Sequence, residues 1–160
     1  MKYIGVYSVI FSVFLIWRSY SSYLACELGY TGAFLRALRD YREKMKCYLA
    51  SPSEWARGFS DEELLKIGFI DRVREGETFI SAYRSVKDGI FLPQKTDETL
   101  TYCFERIGEG YLDTELEAVE AAISKIEAEE AIIVSEMPKR KKAVGALLGA
   151  CAVGIVILII

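Results

Sequence analysis

Two stretches of this chain are too apolar for a water-facing surface, and they constrain everything between them. Residues 1–17 carry one charge, Lys2, among Ile4, Val6, Ile10, Phe11, Phe14, Leu15 and Ile16. Residues 143–160 carry none and finish in Gly154-Ile155-Val156-Ile157-Leu158-Ile159-Ile160. As helices rising about 1.5 Å per residue, each would reach roughly 26 Å, close to the hydrocarbon thickness of a bilayer. The expected organisation is an N-terminal transmembrane helix over 1–18, a helical domain over 19–138, and a basic flank with a C-terminal transmembrane helix over 139–160.

Charge separates the two sides of such a membrane. Lys139, Arg140, Lys141 and Lys142 stand directly before the second span and Arg18 follows the first, whereas the outer flanks hold little beyond Lys2. An excess of Lys and Arg on the inner flanks places the central region in the cytoplasm and both termini outside. Trp17, Tyr20 and Tyr23 stand where interfacial aromatic anchors of the first helix belong. A competing reading is a signal peptide, with Leu24-Ala25-Cys26 imitating a lipoprotein cleavage site. Against it, Tyr23 replaces the usual aliphatic residue, Arg18 interrupts the approach, and the positive start is weak.

The central region, 19–138, holds 14 basic and 23 acidic residues, a net charge of −9. That balance argues against nucleic acid as a partner, because phosphate binding needs the opposite sign. The four cysteines form no CxxC pair and histidine is absent. No zinc ligand set is legible, and cytoplasmic thiols seldom pair. There is also no phosphate-binding GxxxxGK[ST] loop and no nucleophile elbow. The adjacent acids Glu62-Glu63 and Glu129-Glu130 would point about 100° apart on a helix and read as solvated faces. The expectation is no catalytic, cofactor-binding or metal-binding residue, and no enzyme.

Periodicity gives an all-α domain. Leu28, Leu35, Leu38, Met45 and Leu49 share one face of a helix over 21–49, whose other face is basic through Arg36, Arg39, Arg42, Lys44 and Lys46. Ser51-Pro52-Ser53-Glu54 carries a cap, a proline suited to the first turn and the acid of a capping box. Ser60 followed by Glu63 repeats the pattern, and Gly58, Gly68, Gly76 and Gly89 punctuate short helices. Leu92-Pro93 reads as an extended connector. Thr96 is the expected cap of a helix holding Leu100, Phe104 and Ile107, which ends at Gly108-Glu109-Gly110. From Asp113, the residues Leu112, Leu116, Val119, Ile123, Ile126, Ile133 and Met137 make a heptad-like seam that Glu130 interrupts. Pro138 is expected to break or kink that helix. The basic first helix and acidic last helix should run antiparallel, with charge selecting the pairing and apolar burial holding it.

In the second span, Gly145 and Gly149 form GxxxG, with Ala146, Ala150 and Gly154 as a neighbouring ridge of small residues. Such spacing allows close approach of the first span or of a second copy in a homo-oligomer. Tyr3, Tyr7, Phe11, Phe14 and Trp17 make an aromatic stripe that reads as packing. Lys139, Arg140, Lys141 and Lys142 set orientation and attract anionic headgroups of the lipid bilayer.

This layout resembles the stage III sporulation protein AB family. The resemblance rests on residues 115–130 (ELEAVEAAISKIEAEE), then Lys141-Lys142-Ala143-Val144-Gly145-Ala146-Leu147-Leu148-Gly149 and the Ile-rich end. It covers the whole chain in layout and the final third in motif. It implies a membrane complex assembled between mother cell and forespore in endospore-forming bacteria, with the helical domain on the mother-cell side. It also implies a domain similar to the cytoplasmic domain of type II secretion platform proteins. The partners so implied are the cognate stage III sporulation secretion-type ATPase and other membrane subunits of the complex. The expected role is a platform or adaptor; the alternative is a structural, oligomerising subunit without ATPase contact.

Overall fold

The computed structural model describes residues 2–48, 51–108 and 111–159, with the side chains of all of these except 2–4, 48, 158 and 159. Leu49, Glu109, Gly110 and Ile160 lie outside the described residues. Every regular element described is helical: α1 (Lys2–Tyr48), α2 (Pro52–Gly58), α3 (Glu62–Lys66), α4 (Phe69–Arg74), α5 (Phe79–Val86), a 3₁₀ turn (Lys87–Gly89), α6 (Gln94–Arg106) and α7 (Leu112–Ile159). The chain divides into two compact units, Met1–Ala25 with Ile133–Ile160, and Cys26–Ile132.

The second unit is built around the C-terminal half of α1. Phe34, Leu35, Leu38, Tyr41 and Met45 are all buried there. Helices α2 to α5 span only five to eight residues each, too short to persist alone in water. Aromatic side chains hold them in place. Phe34 meets Phe69 and Tyr83 edge-on at 5.3 and 5.5 Å between centroids. Phe104 stacks on Phe69 and Phe79 at 5.8 and 5.3 Å. Tyr41 packs edge-on against Trp55 and Phe79, and Trp55 Nε1 donates to Asp40 Oδ2 at 2.8 Å. Burial raises the ionisation of the Tyr41 and Tyr83 phenols above their ordinary range, so both stay neutral.

Local signals were obeyed where nothing distant competed. Ser51 caps α2 with Pro52 at its start, and the reciprocal bonds to Glu54 complete the capping box. Those bonds hold the Glu54 carboxyl below the usual carboxylate range. Gly68, Gly76 and Gly108 adopt positive φ of 76°, 99° and 92°, open to glycine at little cost.

Three expectations need correction. The cap of α3 is Asp61 rather than Ser60, with Asp61 Oδ1 accepting from the N–H groups of Glu63 and Leu64. Thr96 does not cap α6, which begins at Gln94; it is 1% exposed because it lies one turn before Leu100 on the helix's apolar stripe. Of the break or kink expected at Pro138, the break does not occur, because α7 runs through it to Ile159. A proline costs one backbone hydrogen bond and some crowding, a local penalty of about 3 kcal/mol. Long helical segments flank it on both sides.

Within Cys26–Ile132 the first and last helices run antiparallel and pair by charge. Arg39 Nη2 lies 2.7 Å from Glu127 Oε1, and Lys46 Nζ lies 2.6 Å from Glu120 Oε1. A seven-residue advance along α1 matches a seven-residue retreat along α7. Lys46 holds the Glu120 carboxyl below its ordinary range. Val119, Ile123 and Ile126 are buried along the seam. Glu130, the acid in the apolar register, is accommodated by a small residue. A Cβ on Gly32 would lie 3.1 Å from Glu130 Oε1 and 3.4 Å from Arg36 Nη1.

Candidate functional site

Met1–Ala25 and Ile133–Ile160 form a hairpin of the apolar ends of α1 and α7. Its outward surface is apolar. Tyr7, Phe11 and Phe14 are 73%, 62% and 56% exposed, and Leu147, Val153 and Ile157 are 64%, 60% and 69% exposed. Tyr7 and Phe11 of the aromatic stripe are therefore mostly exposed, whereas Phe14 and Trp17 lie beside Lys141 of the other helix. Among the described residues one helix, over Gly5–Cys47, carries a stretch long and apolar enough to cross a membrane, and almost none of that stretch is buried. An exposed apolar surface of this kind marks a place where lipid or another protein is bound.

The hairpin closes on a glycine. A Cβ at Gly145 would lie 3.2 Å from Trp17 Cζ3 and 3.4 Å from Cη2, so the indole rests directly on the helix backbone. Gly149 and Gly154 have nothing among the described residues within 4 Å of such a Cβ. The structure thus brings Gly145 to Trp17 and leaves the other two glycines, with Ala146 and Ala150, on an open face. Trp17 and Tyr20 are half-buried, and Tyr23 is 41% exposed.

The basic residues are not equivalent. Lys139 and Lys142 are exposed, Lys141 is half-buried, and Arg140 pairs with Glu136 at 2.7 Å one turn earlier. Arg18 is exposed. Sequence reasoning grouped the four as one cluster; the helical angle of about 100° per residue is what separates them.

The polar groups of the helical unit are tied mainly to one another. Among the described residues no group of three or more His, Cys, Asp or Glu is placed to hold a metal ion. Asp97 accepts from the Tyr83 hydroxyl at 2.6 Å and sits 3.6 Å from Lys87 Nζ. Arg74 donates to the carbonyls of Ala56 and Phe59, tying α4 to the end of α2. A groove of about 320 Å³ between α6 and α7 is lined by Lys95, Thr96, Lys125 and Glu129. Thr96 Oγ1 is buried there without a hydrogen-bond partner among the described residues. Asp113 and Glu117 stay exposed at the start of α7, with no ion-pair partner among the described residues. None of Asp61, Arg74 or the groove was singled out from sequence, because each depends on residues from separate helices.

No family model matches this sequence, and no curated protein matches it either. Among solved structures it is similar to Stage III sporulation protein AB, with a TM-score of 0.57 over 71% of this chain and 98% of that one. Sequence identity across the match is 15%, so the likeness is one of architecture. The chain shares the helical fold of Stage III sporulation protein AB.

Proposed function

We propose that this chain is a membrane-anchored platform or adaptor of a sporulation channel between mother cell and forespore, docking a cytoplasmic secretion-type ATPase. The observation that carries the reading is the fold shared with Stage III sporulation protein AB over nearly all of that chain's length. Two features support it. The outward-facing apolar hairpin is suited to lipid, and the helical unit presents an acidic surface on which Asp113 and Glu117 have no ion-pair partner among the described residues. In this reading both apolar ends span the membrane, the helical unit faces the cytoplasm, and nucleotide chemistry belongs to the partner.

Recovery of the cognate ATPase with the full chain, and not with a chain lacking residues 26–132, is the expected result of a pull-down from detergent extract. Equal recovery with the deletion would sink the docking role. Sidedness is read from thiols. In a variant with Cys26 and Cys151 replaced by Ala, the exposed Cys47 reports on the helical unit. Cys103 stays silent because burial pushes its thiol up to about 12. A membrane-impermeant maleimide should label Cys47 only after the membrane is opened. Labelling in intact cells, or loss of residues 1–17 from the mature chain, would overturn the topology.

A structural subunit that self-associates without touching the ATPase is the second reading, favoured by the open faces of Gly149 and Gly154. Gly149→Leu with Gly154→Leu leaves Trp17 on Gly145 untouched. In this reading the pair abolishes crosslinked dimers in membranes; in the platform reading it changes ATPase recovery little.

A further inference from the structure

The contact between Trp17 and Gly145 has a consequence one helical turn away. Lys141 precedes Gly145 by four residues on α7, and Arg18 follows Trp17 on α1. Phe14, Trp17, Arg18, Ser21, Ser22 and Lys141 line a shallow cleft, widely open to the outside, of about 470 Å³, completed by Ala25. Residues 14, 17/18, 21/22 and 25 recur every three to four positions, so one face of α1 supplies most of the wall. Lys141 is the contribution of the other helix.

The chemistry of that wall is graded. Phe14 and Trp17 lie toward the apolar end of the hairpin; Ser21, Ser22 and Ala25 lie toward its polar end. Arg18 and Lys141 stand between them, and neither has an ion-pair partner among the described residues. The hydroxyls of Ser21 and Ser22 likewise have no hydrogen bond among those residues. Two unneutralised cations and two hydroxyl donors above an aromatic floor match an anion that carries an apolar tail. Arginine suits this task because its planar fork binds phosphate oxygens in pairs, while lysine adds a point charge. Neighbouring Arg140 is engaged with Glu136, and Lys139 and Lys142 are exposed outside the cleft.

We propose that this cleft is a binding site for the phosphate headgroup of an anionic phospholipid, held by Arg18 and Lys141 with Ser21 and Ser22, its acyl chain running along Phe14 and Trp17. The proposal rests on the membrane reading of the hairpin. It assigns Lys141 a role that the other basic residues of the cluster do not share.

Trp17 is a built-in reporter. The full chain is reconstituted in phosphatidylcholine vesicles holding a minor fraction of phosphatidylglycerol, with bromine on the acyl chains of one lipid or the other. Trp55, fully buried in the helical core, contributes a constant background. The expected result is an enrichment of the brominated anionic lipid at Trp17 of about tenfold over its bulk fraction. Arg18→Gln with Lys141→Gln should reduce that preference to about unity, and Lys139→Gln with Lys142→Gln should leave most of it. Equal loss with both pairs overturns the site in favour of a diffuse basic surface. Equal quenching by both lipids in the unaltered chain overturns the site while the membrane reading stands. No quenching by either lipid sinks both. Displacement of the anionic lipid by millimolar inorganic phosphate would show a free-anion site and overturn the lipid assignment.

Discussion

Phe34→Ala destabilises the helical unit by about 3–5 kcal/mol, the cost of emptying a well-packed aromatic position. Phe34 is fully buried and touches three elements at once, with Phe69, Tyr83 and Phe104 all within 6.2 Å between ring centroids. Its removal opens a cavity where α4, α5 and α6 converge on α1. Helices α4 and α5 are too short to persist alone, so the loss should spread across the unit rather than stay local. The measurement is the denaturant midpoint followed by near-ultraviolet circular dichroism, which reports on the packed rings. Tyr111→Ala, at a residue 86% exposed, should stay within about 0.5 kcal/mol of the unaltered chain. Similar shifts for both substitutions would refute the aromatic cluster as the organising centre.

The second large effect belongs to Asp61. Its Oδ2 accepts from Nε and Nη2 of Arg36 at 2.9 and 2.7 Å, while Oδ1 accepts the two backbone donors that open α3. The carboxylate is 8% exposed, so its partners are not easily replaced by water. Losing an N-cap costs about 0.5–2 kcal/mol, and losing a hydrogen bond to a charged group about 1.5–3. The two are coupled through one carboxylate, and Asp61→Ala is expected to cost about 2–4 kcal/mol in total. Asp61→Asn keeps a capping oxygen and loses the charge, so it should fall roughly midway. Ser60→Ala, at an exposed residue outside the cap, should change stability by less than about 0.5 kcal/mol. A larger effect at Ser60 than at Asp61 would return the capping role to the serine.

These two residues mark the limit of what pattern alone revealed. The stripe of Leu28, Leu35, Leu38 and Met45 identified α1 as a packed helix, but it left out Phe34 and Tyr41. Both are buried because α1 is surrounded on more than one face, and a one-face stripe carries no sign of that. Ser60 and Asp61 are both competent caps with Glu63 nearby; Asp61 is the one that also holds Arg36, 25 residues earlier in the chain. Thr96 looks like a cap by type, yet its four-residue spacing to Leu100 puts it in the core. For Phe34, Tyr41 and Asp61 a residue from another helix outweighed the local pattern, whereas for Thr96 the helix's own apolar stripe outweighed its capping tendency.

The candidate site divides the same way. The apolar ends, the flanking basic residues and the small-residue spacing of Gly145, Gly149 and Gly154 were all visible in the sequence. Which glycine meets Trp17, and which of four consecutive basic residues turns toward Arg18, were not. Sequence by itself determined that this chain is helical, apolar at both ends and acidic between, because those properties follow from composition and from periods of three and four residues. Only the tertiary structure decided the antiparallel register of Arg39 with Glu127 and Lys46 with Glu120, the aromatic centre around Phe34, and the cleft at Lys141. Register and cleft depend on the angle at which one helix face meets another, and that angle is set by contacts between residues far apart in the chain.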